Sequence, residues 1–362
     1  MTKSEIIDYV RGEVVRLCVP ADESRPVDIQ VQVTGCVYRP TSQVWFVDLV
    51  SGQQVTPIVV KCGASGAATP HQRLPRLTPT VPAPEMIPRQ ALALQAIDRE
   101  FMELSDPRFV AVRVLMHDAD RRILVMTRIP GDELLLCLHA AALPSGSTAR
   151  RDLPVYSKMA GEWLRLFHDR VSLPPGVCVY VQPSELLNQA TGWLNSISSV
   201  DRAWCGLVQN RISECAENLP KLPRAILHGD YWPGNILVNE GQIGIIDVLG
   251  WAEGPIWLDI GYYLLHLRAV DRQLWLHNIA WPDHLLKKSE DEFLAGYFGE
   301  EAVDPHARCF FKAFALLAKW SRSAQVLRES TGLQHAKKRA LFVWRSAYYR
   351  SLMSSFIDMD GA

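Results

Sequence analysis

Residues 225–247 read AILHGDYWPGNILVNEGQIGIID, and the reading of the whole chain turns on them. Ala225 to Leu227 is a short apolar approach, and His228-Gly229-Asp230 opens a loop. Asn235 follows Asp230 by five residues. Ile236-Leu237-Val238 and Ile243 to Ile246 are two short apolar runs joined by Asn239-Glu240-Gly241-Gln242, the composition of a β-hairpin turn. Asp247 stands at the exit of the second run. The pattern therefore predicts that Asp230, Asn235 and Asp247 converge at one end of a small hairpin. A carboxylate able to accept a proton, beside an amide and a second carboxylate, suits a hard cation such as magnesium. That ion takes oxygen ligands and is usually shared with a substrate's phosphates.

Working outward, the amino-terminal part is β-rich. Val27–Tyr38, Val44–Val50 and Val55–Cys62 are apolar, partly alternating runs separated by short polar breaks, which predicts an antiparallel meander. Between Gly63 and Pro88 lie six prolines (Pro70, Pro75, Pro79, Pro82, Pro84 and Pro88), which predicts a loop. Ile87, Ala91, Leu94, Ile97, Phe101 and Leu104 recur at helical spacing, giving a helix over 87–104 with one apolar face. Two further strands are expected over 109–115 and 122–129, ending at Pro130-Gly131-Asp132. Beyond that turn the pattern is mostly helical, with helices expected near 154–169, 185–196, 202–218, 257–267, 284–298, 306–327 and 334–357. The fold class is α+β, with a small antiparallel-sheet lobe at residues 1–129 and a large helical lobe at residues 130–362.

The oxygen-bearing triad in this setting is similar to the catalytic segment of the aminoglycoside phosphotransferase and choline kinase family, a branch of the protein-kinase-like fold. That family's pattern is His-Gly-Asp, four residues, Asn, an apolar strand and Ile-Asp. This chain offers His228-Gly229-Asp230, Asn235 and Ile246-Asp247, followed by Gly254-Pro255 and Asp259. The resemblance implies an ATP- and Mg2+-dependent kinase that phosphorylates a hydroxyl of a small molecule. Asp230 would accept or orient the hydroxyl proton, Asn235 and Asp247 would hold the metal, and His228 and Asp259 would support the loop. Residues 1–129 would bind the nucleotide, and residues 130–362 the acceptor.

The same resemblance asks for a lysine on a small-lobe strand, and Lys61, ending Ile58-Val59-Val60-Lys61, fits. No glycine-rich loop precedes it. Arg39 and Ser42, in the turn Tyr38-Arg39-Pro40-Thr41-Ser42-Gln43, would meet the phosphates instead. Gln90 occupies the place of the helix acid that should pair with Lys61, with Glu85 nearby as the other candidate. Thr127 and Ile129, in the hinge Met126-Thr127-Arg128-Ile129, would offer backbone groups to adenine. From Lys319 to Arg350 eight basic residues face one acid, Glu329, so an anionic or neutral acceptor is preferred over a polycationic aminoglycoside. Two alternatives stand beside this reading. One is a kinase-fold binding module with weak or no catalysis, and the other is a kinase acting on Ser or Thr of a peptide.

Composition narrows the setting. Of 362 residues 48% are hydrophobic and 21% charged, and the formal net charge is −1, so neither disorder nor a nucleic-acid or membrane-surface partner is expected. The eight cysteines form no CxxC pair, and residues 1–16 lack the apolar run of a secretory signal, so a cytoplasmic protein with reduced thiols is expected.

Overall fold

The computed structural model describes residues 1–14, 29–39, 42–63, 77–79, 81–198 and 204–357. The small lobe begins with α1 (Lys3–Tyr9), then strands β1 (Gln30–Arg39), β2 (Ser42–Ser51) and β3 (Gln54–Gly63). Helix α2 (Ala83–Leu104) and strands β4 (Phe109–Val110), β5 (Val114–Asp118) and β6 (Ile123–Thr127) follow. A five-stranded antiparallel sheet runs in the order β1-β2-β3-β6-β5. Its outer face is closed by Ile6, Tyr9, Val10 and Val14, which bury against Val31, Trp45, Val47, Ile58 and Val60.

The large lobe adds β7 (Asp132–Glu133), α3 (Leu134–Ala141), α4 (Ser147–Arg170), β8 (Val179–Tyr180), α5 (Pro183–Ser198) and α6 (Cys205–Glu217). After them come β9 (Arg224–Leu227), β10 (Ile236–Asn239), β11 (Gln242–Ile245) and β12 (Ala252–Pro255). The chain closes with α7 (Trp257–His266), α8 (Asp271–Leu276), α9 (Asp283–Phe298), α10 (Pro305–Arg328) and α11 (Gly332–Ile357). The large core is continuous with the inner face of α2, whose Ala91, Leu94, Ile97 and Phe101 bury together with Trp163 and Phe167 of α4. Among the described residues no helix is long and apolar enough to cross a membrane.

Several boundaries differ from the sequence reading, each for a local reason. Helix α2 starts at Ala83, not Ile87: Pro84 is tolerated in a first turn, where its missing N–H costs nothing, and Glu85 lies at the positive end of the helix. The expected proline-rich loop over 63–88 is accordingly shorter. Gly63 completes β3, residues 83–88 are helical, and residues 64–76 and 80 lie outside the described residues. The single strand expected over 109–115 is divided between two sheets: β4 pairs in parallel with β11 of the large lobe, while β5 pairs with β6. Helices α1, α3 and α8 are additions to the sequence reading.

The decisive hairpin forms as its sequence requires. Strands β10 and β11 pair antiparallel from Ile236↔Ile245 to Asn239↔Gln242. Glu240 and Gly241 between them both take positive φ, 44° and 82°, which matches the right-handed twist of the strands.

Candidate active site

The loop before the hairpin is fixed from behind. Asp259, in the first turn of α7 and 2% exposed, accepts the backbone N–H of His228 at 2.7 Å and of Gly229 at 2.9 Å. The His168 ring lies 3.2 Å from the same carboxylate and is itself held by the Tyr297 hydroxyl at 2.8 Å. The His228 side chain is fully buried among the rings of Trp163, Phe167 and Tyr231. Burial drives its pKa down to about 4, so near neutral pH it is an uncharged brace. Its Nδ1 accepts the Asp230 N–H at 3.3 Å. Tyr231, a residue the sequence reading passed over, also anchors the loop: its buried hydroxyl donates to the Ala160 carbonyl at 2.7 Å.

These supports leave Asp230 half-buried at the loop tip. The Asn235 amide nitrogen donates to the Asp230 carbonyl at 2.9 Å and to its carboxylate Oδ2 at 3.0 Å. With both amide hydrogens spent on Asp230, the side-chain oxygen is the atom Asn235 has to offer a cation. Across the hairpin mouth, the Asn235 carbonyl accepts the Ile246 N–H at 3.0 Å, so Asp247 emerges directly beside Asn235. Asp230, Asn235 and Asp247 thus stand at one end of the hairpin, as their spacing predicts. An amide oxygen and a carboxylate form a donor set that fits a hard divalent ion shared with a ligand's oxygens.

Lys61 of β3 reaches the same point from the small lobe. Its Nζ lies 2.6 Å from Asp247 Oδ1, with the two side chains 14% and 28% exposed. The ammonium holds the Asp247 carboxyl below the usual carboxylate range against the opposing effect of burial. Arg39, at the end of β1, adds to this field and also bears on Glu133 of β7, whose pKa burial nevertheless raises. Glu133 is a second residue missed in the sequence; its one signal is its place directly after the Pro130-Gly131-Asp132 turn. Ser42 pairs with Arg39 across the β1–β2 hairpin and is buried, whereas Pro40 and Thr41 lie outside the described residues.

Two expectations need correction. Neither Gln90 nor Glu85 pairs with Lys61. The Gln90 amide is turned to the Val248 carbonyl, to which it donates at 2.9 Å, and Glu85 pairs with Arg89 one helical turn on, at 2.6 Å. The charge facing Lys61 is supplied by Asp247. In the hinge, the Thr127 N–H is taken by the Arg113 carbonyl at 2.9 Å and the Arg128 N–H by the Pro57 carbonyl at 3.2 Å. Sheet closure thus consumes the Thr127 donor, so a base could not receive it. The Ile129 side chain is buried.

Two residues after Asp230, the Trp232 ring lies 5.5 Å from the His266 ring, centroid to centroid. His266 Nδ1 donates to the Tyr262 carbonyl at 2.8 Å, which makes Nε2 the acceptor for Lys319 Nζ at 3.2 Å. The basic run is otherwise dispersed. Arg328 caps α5 through the Ser196 carbonyl, and the Arg345 guanidinium lies over the Trp275 ring.

A small antiparallel sheet carrying a lysine, set against a helical lobe carrying an Asp-Asn-Asp constellation on a hairpin, defines a kinase-like transferase of bilobal α+β fold. The chain belongs to the phosphotransferase enzyme family, whose pattern matches residues 71–306. It is a phosphotransferase of the small-molecule kinase type. Solved structures agree on the fold. A choline/ethanolamine kinase family protein from Mesorhizobium loti aligns with a TM-score of 0.50 at 14% identity, covering 97% of this chain and 100% of that one. An amicoumacin kinase in complex with AMP-PNP, Ca2+ and Ami aligns with a TM-score of 0.52 at 12% identity, covering 97% and 96%. A glucosamine kinase in complex with glucosamine, ADP and inorganic phosphate gives 0.54 at 15% identity, covering 90% and 81%. No curated protein sequence matches the chain.

Proposed function

We propose that this protein transfers the γ-phosphoryl group of ATP, with Mg2+, to a hydroxyl of a small anionic or neutral molecule. The observation that carries the reading is the joint position of Asp230, Asn235 and Asp247 at one hairpin end, with Lys61 2.6 Å from Asp247. Residues 1–129 form the nucleotide-binding lobe and residues 130–362 the catalytic and acceptor lobe.

Asp230, held by Asn235, orients the acceptor hydroxyl and takes its proton. The Asn235 amide oxygen and the Asp247 carboxylate would hold the metal ion, which when bound would neutralise charge on the transferring phosphoryl group. Lys61 exchanges Asp247 for the α- and β-phosphates as nucleotide enters. Arg39 and Ser42, paired at the end of the β1–β2 hairpin, would meet the nucleotide's phosphates, and backbone groups at Ile129 would meet the base. Positioning and charge neutralisation supply the catalysis, since the transferred group asks for little covalent help.

Trp232, His266 and Lys319 support this acceptor class. A neutral imidazole holds an ammonium within reach of the catalytic loop, an environment that favours an anionic or neutral acceptor over a polycation. The relatives of this fold with named substrates include kinases of glucosamine and of amicoumacin, which supports a small hydroxyl-bearing acceptor.

The test is a thermal melt with Mg2+ and ADP, followed by an acceptor screen with ADP release as the signal. A ligand that binds only the native state raises the melting temperature, by about 3 kcal/mol of stabilisation at one hundred times its Kd. No shift at millimolar nucleotide contradicts the reading.

A further inference from the structure

The segment just beyond Asp247 is gripped from two sides. Asp247 itself takes a left-handed backbone, φ 58°, a conformation that is strained for a residue with a Cβ and persists only where neighbours over-determine it. From the catalytic loop, the His228 carbonyl accepts the Leu249 N–H at 2.9 Å. From α2, Gln90 Nε2 donates to the Val248 carbonyl at 2.9 Å. Two residues after Val248, Gly250 packs so tightly on α2 that a Cβ there would lie 2.3 Å from the Ala93 Cβ. Gln90 is 4% exposed and Val248 is fully buried, so water cannot replace this hydrogen bond.

We propose that Gln90 is a positioning residue for the metal site. By fixing the Val248 carbonyl it holds the left-handed turn that aims Asp247, and so couples a small-lobe helix to a large-lobe ligand. The bond calls for a side-chain donor at position 90. Facing a carbonyl, only its amide nitrogen can make the bond, whereas an ionised carboxylate offers acceptors alone. The counter-charge for Lys61 comes from Asp247, so α2 has no ionic part to play there.

This inference rests on the proposed function, and the two fail differently. Mn2+ serves as the probe ion in the presence of saturating ADP, followed by electron paramagnetic resonance of the free ion, and ADP affinity is measured again without metal. Gln90→Glu and Gln90→Leu should each weaken Mn2+ binding by about tenfold or more. Metal-free ADP affinity should change by less than about twofold, since Lys61 is untouched. If position 90 instead faced Lys61, Gln90→Glu would tighten nucleotide or metal binding; that result overturns the inference, as does unchanged Mn2+ affinity in Gln90→Leu. Loss of the folded state in both variants, read from their melting curves, overturns it in favour of plain packing. A wild-type protein that binds no Mn2+ with ADP refutes the phosphotransferase reading itself, and the inference with it.

Discussion

At the scale of single residues, burial sets the protonation state of the groups that brace the site. His228 is the clearest case. Its pKa falls from 6.5 to about 4 because burial penalises the charged form. A group depressed in the folded state contributes stability above its unfolded pKa and loses it as pH falls through the folded one. The window is therefore from about pH 6.5 down to about pH 4, and the loss approaches about 3 kcal/mol. Calorimetry across that window should show the stability advantage of wild type over His228→Gln shrinking as pH drops; a constant gap would contradict the neutral-brace role. Asp259 makes a second case. Asp259→Ala strips two backbone N–H groups of a buried carboxylate and should cost about 2–4 kcal/mol, read from urea unfolding. The shared position of Asp230, Asn235 and Asp247 was open to inference from sequence because they lie within eighteen residues and a single hairpin links them. The partner of Gln90 was not. Its bond spans 158 positions, and nothing local says whether that side chain turns to Lys61 or to the Val248 carbonyl.

At the scale of elements, strong periodicity was readable and weak periodicity was not. Helix α2 shows its apolar face in the sequence, and Ile87, Ala91, Leu94, Ile97 and Phe101 are all buried. Helix α8 has too few residues for a period to emerge, and α3, LLLCLHAA, is apolar nearly throughout. The split of residues 109–115 into β4 and β5 was equally hidden, since sheet membership depends on which distant strand is available. The packing of α2 on the segment after Asp247 leads to a prediction at this level. Gly250 has φ 72° and no room for a Cβ beside Ala93, so Gly250→Ala must move either the segment or the helix. We expect a loss of about 2–3 kcal/mol by chemical denaturation, with weakened metal binding. A variant as stable as wild type would mean that α2 and this segment are not rigidly joined.

At the scale of the whole molecule, the large lobe has an ionic centre far from the chemistry. Glu290 of α9 is 1% exposed and bonds Arg268, Arg308 and Lys312, with Lys312 Nζ at 2.8 Å. Burial pushes its pKa up, and Lys312 and Arg268 pull it down further, to about 2. The stability it supplies is thus complete above about pH 4.5 and is lost as pH falls toward about 2. Removing one partner of a buried ionic cluster leaves the others uncompensated, so Glu290→Gln should cost about 3–5 kcal/mol at neutral pH, and the deficit should narrow in acid. A neutral effect in urea melts at pH 7 would show the cluster to be solvated. The bilobal layout itself was visible in the sequence, because the change from β-rich to helical patterning near residue 130 is a bulk property. The way the lobes are fastened is not a pattern property, and it resides in single contacts such as Gln90 to Val248 and Trp251 to the Pro79 carbonyl.

The most direct test of the account is phosphoryl transfer by wild type and Asp230→Asn, followed by product mass with ATP, Mg2+ and a panel of small hydroxyl acceptors. Wild type should add one phosphoryl group to an acceptor. Asp230→Asn should slow that step about 10³-fold while binding Mg2+ and ADP as wild type does. Turnover in Asp230→Asn at the wild-type rate would contradict the assignment of the catalytic carboxylate and the chemistry built on it.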